Sequence, residues 1–263
     1  MKRNLVLAAI IVLIACAPKT KEVNLADLNN ELNKKFMHGK KMFDKKKYSR
    51  AIDDFDYIIL NDVGSELGMK SRYYQAESLF NLEQYSEAIT SYNRYLNYSM
   101  NQEKIEHCRY RICKSYFEMS NKYNRDQTNN DISLEMFQLF IDDFPQSNFV
   151  IDAEKNMLDL RMRKARKLHE TGRLYLKEKE FDSALIYFND VIKNYYDTSY
   201  SDEARISIVF AYLVKNDSDE AKKYYNLNQN KFNSLEKKEE VEMLLAKFEA
   251  KSSWFSNMVR LYK

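Results

Sequence analysis

The chain has 263 residues, 44% of them hydrophobic and 14% aromatic, with only four glycines and two prolines. So little turn chemistry excludes a many-stranded fold, whose corners need those residues. Once Lys2 and Arg3 are set aside from the 42 Lys and Arg, the 40 that remain nearly balance 39 Asp and Glu. No strong basic excess of the kind carried by nucleic-acid binders is left, so nucleic acid is excluded as a partner.

The first element in chain order is a signal segment. Lys2 and Arg3 precede an apolar run, Leu5 to Ala15, that stops at Cys16. A membrane-spanning helix takes about 20 apolar residues, so the run is too short to cross. Basic, apolar and small-residue regions in that order are the parts of a secretory signal peptide. Leu13-Ile14-Ala15-Cys16 resembles the bacterial lipobox. That resemblance implies removal of residues 1–15 and acylation of the Cys16 thiol, which becomes the mature N-terminus. Each buried acyl methylene contributes about 0.8 kcal/mol of membrane affinity. Residues 16–30 show no repeat pattern and are expected to be a flexible tether able to span up to about 45 Å.

From residue 31 to 263 the sequence repeats itself. Tyr48-Ser-Arg-Ala-Ile-Asp-Asp-Phe55, Tyr85-Ser-Glu-Ala-Ile-Thr-Ser-Tyr92 and Phe181-Asp-Ser-Ala-Leu-Ile-Tyr-Phe188 share one pattern, with an aromatic at each end and an alanine at the fourth position. Twelve positions before each alanine stands another small residue: Gly39 before Ala51, Ala76 before Ala88, Gly172 before Ala184. Small residues at that spacing let two helices pack closely. Val209 with Ala221 and Tyr225 is a degenerate copy. Cys113 with Ser133 and Phe137 is another, provided that the polar stretch Asn121 to Asp131 is an inserted loop. The pattern resembles the tetratricopeptide repeat, a helix pair of about 34 residues. The alanine-like positions 51, 88, 133, 184 and 221 are 37, 45, 51 and 37 residues apart. The expected fold is therefore all-α, a tetratricopeptide-like helical-hairpin solenoid of about five repeats. Val241, Leu244, Leu245 and Phe248, then Trp254, Phe255 and Val259, predict a C-terminal capping helix or helix pair.

Within these helices Cys108 and Cys113 would stand roughly 140° apart around one axis. They are expected as thiols rather than a disulfide, with Cys113 in the core. His38, His107 and His169 fall in three different repeats, without the converging ligands that a zinc site needs. No phosphate loop, nucleophile elbow or paired-acid motif occurs. Runs such as Asp53-Asp54 and Glu236 to Glu240 read as wetted helix faces. No metal, no cofactor and no enzymatic activity are expected; an envelope enzyme would need a cleft of converging acids or histidines. Binding is the expected class. The fifth and twelfth positions of the inner helices are aromatic in the first three repeats: Phe36 and Phe43, Tyr73 and Phe80, Tyr110 and Phe117. In the next two they are His169 and Leu176, then Ile206 and Leu213. Core packing accounts for most of the twelfth positions, while a groove for an extended peptide would use the flat rings.

Two further features narrow the family. Phe144-Pro-Gln-Ser-Asn-Phe-Val-Ile-Asp-Ala153 and Tyr195-Tyr-Asp-Thr-Ser-Tyr-Ser-Asp-Glu-Ala204 each join one repeat to the next, and Leu158-Asp-Leu-Arg-Met-Arg-Lys-Ala-Arg166 leads into the fourth. With the lipobox and five repeats, the chain resembles BamD-type lipoproteins of the outer-membrane β-barrel assembly machinery. It departs from them in lacking proline at Tyr196, in the sequence of its basic run and in a longer C-terminal tail. The resemblance implies a scaffold lipid-anchored to the outer membrane and facing the periplasm. Its partners would be unfolded outer-membrane proteins, received by the N-terminal repeats, and the periplasmic domain of the barrel catalyst, docked by the C-terminal ones. Other assembly lipoproteins would join them. Arg161, Arg163 and Arg166 are the expected catalyst contacts, since guanidinium forks suit carboxylates. A repeat lipoprotein organising peptidoglycan synthesis or secretion would share the lipobox and repeats without those partners.

Overall fold

The computed structural model describes residues 25–120, 122–123 and 125–260. All regular structure among them is helical. The helices are α1 (Leu25–Asp44), α2 (Tyr48–Asn61), α3 (Glu66–Asn81), α4 (Tyr85–Leu96), α5 (Gln102–Glu118) and α6 (Thr128–Asp143). They continue with α7 (Val150–Lys177), α8 (Phe181–Asn194), α9 (Tyr200–Val214), α10 (Ser218–Asn228), α11 (Leu235–Glu249) and α12 (Ser253–Arg260), with a 3-10 turn at Gln229–Lys231. The expected signal segment and the expected lipidation position, Cys16, lie outside the described residues. Residues 25–30, expected in the tether, are instead the opening turns of α1.

The chain divides into two compact units, Met1–Gln84 and Tyr85–Lys263. In the first, α1 packs on α2, α2 on α3, and α1 on α3. The second repeats that scheme: each helix packs on the next from α4 to α10, and the odd-numbered helices α5, α7, α9 and α11 also touch in succession. This alternation of inner and outer helices is the tetratricopeptide arrangement.

One turn recurs after five of the helices. Lys46, Glu83, Lys179, Asn216 and Lys251 take positive φ between 49° and 64°, each two residues before the next helix. The N–H of Lys179 donates to Leu176 O at 3.2 Å and that of Glu180 to Tyr175 O at 2.9 Å, and the other four turns repeat this pair of bonds. It is the Schellman closure, where glycine is the usual residue because a Cβ is unfavourable there. Lys179→Gly is accordingly expected to stabilise the protein by about 0.5–1 kcal/mol, seen as a raised thermal midpoint. The α5–α6 connection is the exception, as the insertion implies. It is shorter than expected: α6 begins at Thr128, and Asn130 is fully buried. Asn130 Nδ2 donates to Gln127 Oε1 at 2.7 Å, while Gln127 Nε2 donates to the carbonyls of Lys122 and Arg125.

The small positions work sterically. A Cβ on Gly172 would stand 2.6 Å from Phe188 Cε1, and one on Gly39 would stand 3.0 Å from Phe55 Cε1. Ala51, Ala88, Ser133, Ala184 and Ala221 have no exposed surface. Cys108 and Cys113 are both buried thiols, and Cys113 Sγ donates to Met136 O at 3.2 Å. Burial pushes the Cys113 thiol up to about 12, so it packs rather than reacts.

The two matched junction strings fold alike. Ser147 N donates to Phe144 O and Val150 N to Ser147 O; Thr198 N donates to Tyr195 O and Ser201 N to Thr198 O. The turn does not depend on proline, since exposed Tyr196 occupies the place of Pro145. At the C-terminus the expected cap is a hairpin with the same closing turn. Its small-residue positions carry Leu244, which is buried, and Ser256, which is exposed, so this hairpin lacks the close glycine–alanine contact of the earlier ones.

Candidate functional site

In the first unit α1 presents Phe36 and Phe43, both half-buried, to Tyr74 of α3 at ring distances of 6.0 and 5.3 Å. Phe55 of α2 stacks on Tyr74 at 5.7 Å. Lys40 Nζ lies 5.1 Å from the Tyr74 ring and 5.5 Å from that of Phe43, a cation–π lid on the cluster. Phe80 is half-buried. Tyr74 is the hub, yet the spacing points to its neighbour Tyr73, which is buried at 9% exposure. Asp54 also departs from expectation: this buried carboxylate accepts from Lys35 Nζ at 3.2 Å and meets His38 Nδ1 at 2.5 Å, so it is no wetted surface.

In the second unit Tyr110 is 8% exposed and stacks on Phe149 at 4.4 Å. Its hydroxyl donates to Asp152 Oδ2, and Asn156 Nδ2 donates to the same oxygen at 2.7 Å. Lys114 Nζ donates to Asn156 Oδ1 at 3.3 Å. Burial alone would raise the Asp152 carboxyl, but the bonds from Tyr110 and Asn156, with the charges of Lys114 and Lys155, hold it below its ordinary value. Burial and the bond to Asp152 push the Tyr110 hydroxyl well above its own. An acid depressed in the fold contributes stability above its unfolded pKa, and that stability is lost as pH falls through the folded value. Tyr110→Phe is therefore expected to cost about 1–2 kcal/mol at neutral pH and to start acid unfolding at higher pH, as read from urea midpoints across an acid series.

Of the fifth-position rings Tyr73 and Tyr110 are core, whereas Phe36 is half-buried. The twelfth-position rings Phe43, Phe80 and Phe117 are all half-buried, although core packing is the expectation for most of the twelfth positions. For Tyr110 the cause is the junction string, whose Phe149 covers it. Tyr200, in the matching string, lies 5.8 Å from His169, the fifth position of the fourth repeat. Phe117 has Lys114 at 4.7 Å and Arg163 at 4.9 Å from its ring centre.

The basic run sits within α7, a helix of 28 residues, and its three arginines reach different partners. Arg161 grips Asp197 with a fork, Nε to Oδ2 at 2.8 Å and Nη2 to Oδ1 at 2.5 Å, and donates to Asn194 O. Bidentate pairing of this kind is the stronger geometry. The Arg161 fork, outweighing burial, holds the Asp197 carboxyl below its ordinary value. Arg163 donates to Ser120 Oγ at 2.7 Å and to Asp159 at 2.5 Å. Exposed Arg166 lies 3.9 Å from the centre of the Tyr123 ring. Two of the three forks are thus engaged inside the unit, fastening α7 to the segments after α5 and after α8.

Among the described residues no helix is long and apolar enough to cross a membrane, and no group of acids, histidines or cysteines is placed to hold a metal. Successive helical hairpins with half-buried aromatic edges define a tetratricopeptide-type protein. Residues 29–227 match the YfiO model, described as outer membrane lipoprotein, and the chain belongs to that family. It is 33% identical over 198 residues to the outer membrane protein assembly factor BamD of Rickettsia prowazekii (strain Madrid E), covering 73% of this chain and 79% of that protein. The protein of the same name from Caulobacter vibrioides is 26% identical over 208 residues, covering 79% and 68%. These names agree with the reading of a scaffold rather than an enzyme. Among solved structures, the TPR2AB domain of yeast Sti1 in complex with pHSP90 is 12% identical with a TM-score of 0.40, covering 84% of this chain and 99% of that one.

Proposed function

We propose that the chain is an outer-membrane protein assembly factor: a lipid-anchored scaffold facing the periplasm that receives unfolded outer-membrane proteins and docks the periplasmic domain of the barrel catalyst. The observation that carries this reading is the family match over residues 29–227, which takes in all but the last two helices of the hairpin array. The lipid would be attached at Cys16. For substrate contact in the first unit, the geometry favours the open edges of Phe36, Phe43 and Phe80, with Tyr73 as support beneath. In the second unit it favours Phe117, with Tyr110 as support. For the catalyst it favours Arg166, the exposed arginine of the basic run, while Arg161 and Arg163 position α7.

The test is affinity purification of a C-terminally tagged copy from detergent-solubilised envelopes, combined with depletion. Recovery of a barrel protein with periplasmic domains, together with accessory lipoproteins and a general fall in outer-membrane barrels on depletion, is expected. Unchanged barrel levels, with peptidoglycan enzymes or secretion components recovered instead, would overturn the reading.

A further inference from the structure

From Lys40 to Arg50, across the end of α1 and the turn into α2, six basic residues stand against one acid, Asp44. Asp44 is held by Lys40, and on the flank of the same helix Asp54 takes Lys35 and His38. Lys34, Lys41, Lys45, Lys46 and Lys47 are exposed and have no ion-pair partner among the described residues. At 3.6 residues per turn, Lys34, Met37, Lys41 and Lys45 fall within about 80° of one another around α1. They face away from the side that buries Leu32 and Gly39.

The turn itself does not call for lysine. Leu82-Glu83-Gln84, Glu178-Lys179-Glu180, Lys215-Asn216-Asp217 and Ala250-Lys251-Ser252 make the same closure, and each carries at most one basic residue. Lys45-Lys46-Lys47 alone sets three like charges side by side, with Lys46 at a positive φ of 57°. Like charges in a row repel, and a surface of the opposite sign relieves that repulsion. Met37, 70% exposed, stands one turn from Lys34 and one turn from Lys41. Long lysine stems around an exposed apolar side chain suit a lipid interface: the stems and the thioether meet the acyl boundary while the ammonium groups stay among the headgroups.

We propose that this face of α1, with the lysine turn at its end, rests on anionic phospholipid headgroups. Eight residues separate Cys16 from Leu25, a reach of at most about 30 Å, and α1 itself is about 30 Å long. A lipid at Cys16 thus keeps the start of α1 near the surface that its basic end meets, so the helix lies along the membrane. That placement of the tether rests on the proposed lipid anchor; the attraction of the lysines to anionic lipid does not. Each lysine near such a surface adds to the attraction, and salt screens it. An acidic protein would answer the same charges but offers Met37 no acyl boundary.

The full chain is returned from detergent to vesicles of phosphatidylcholine, alone or with about one-third phosphatidylglycerol. A membrane-impermeant amine reagent is added, and the modification of each lysine is read by mass spectrometry. Labelling of Lys34, Lys41, Lys45, Lys46 and Lys47, relative to Lys179 and Lys251 in the corresponding turns, is expected to fall about threefold in the anionic vesicles and to recover at high salt. Changing Lys45→Gln, Lys46→Gln and Lys47→Gln together alters only exposed side chains and is expected to restore most of the labelling of Lys34 and Lys41. Equal relative labelling of the unaltered chain in the two kinds of vesicle overturns the proposal. So does protection by polyglutamate in neutral vesicles where anionic vesicles give none, which would assign the face to an acidic protein. The mass of the N-terminal peptide reports separately whether Cys16 is acylated, so failure of the anchor and failure of this proposal are told apart.

Discussion

Arg205→Met is expected to destabilise the second unit by about 3–5 kcal/mol, although the residue touches no candidate site. Arg205 and Asp202 are 6% and 3% exposed, and Arg205 Nη1 donates to Asp202 Oδ1 at 3.0 Å. The other carboxylate oxygen accepts from the backbone N–H groups of Asn233 and Ser234 at 2.9 and 3.0 Å. Asp202 therefore anchors the segment that carries the chain from α10 into the terminal hairpin, and Asn233 Nδ2 adds a bond to Ser201 Oγ. Phe232 lies 5.8 Å from the guanidinium carbon. Removing the arginine strands a buried carboxylate, and the cost comes from that stranded charge more than from the pair itself. Pairing Arg205→Met with Asp202→Asn is expected to recover more than half of the loss, because an amide oxygen still accepts the two backbone bonds without a charge to desolvate. Urea denaturation of the single and double variants separates the cases. Equal losses in both would show that packing around Arg205, not charge, sets the effect.

Why the hairpins are legible in the sequence while the buried ion pair is not is a matter of period. Gly39 with Ala51 and Gly172 with Ala184 mark close helix contacts through their size, and size at fixed spacing survives in one dimension. The closing turns are less visible: lysine, glutamate and asparagine occupy positions of positive φ where glycine would have announced them. Asp54 reads as an ordinary surface acid because its partners, His38 and Lys35, depend on how helices are rotated, and the backbone N–H groups that Asp202 meets lie more than 30 residues away. Tyr74 and Tyr73 are adjacent, and only the packing of α1 on α3 decides which becomes the hub. The basic run was visible as a cluster, but Asp197 and Ser120, which engage two of its forks, lie 36 and 43 residues away.

The contact beneath the repeat pattern makes a sharper prediction, because it fixes a change of sign. Phe188 is fully buried, and Phe188→Ala is expected to cost about 3–5 kcal/mol through lost burial and the cavity left behind. Gly172→Ala alone sets two effects against each other. Alanine favours the interior of α7 by about 1 kcal/mol, but its Cβ would come within 2.6 Å of one ring carbon of Phe188 and 2.9 Å of another. Overpacking of a filled core costs about 1–3 kcal/mol, and Phe188, held between buried Ala184 and Val191 on its own helix, has little room to retreat. The net effect is expected to be destabilising by about 1–2 kcal/mol. In the Phe188→Ala background the clash partner is gone and part of the cavity is refilled, so the same Gly172→Ala change is expected to become stabilising. The double-mutant cycle reads this directly as a coupling larger than either background's experimental error. If Gly172→Ala destabilised both backgrounds equally, the approach of the Phe188 ring would not be what requires glycine there.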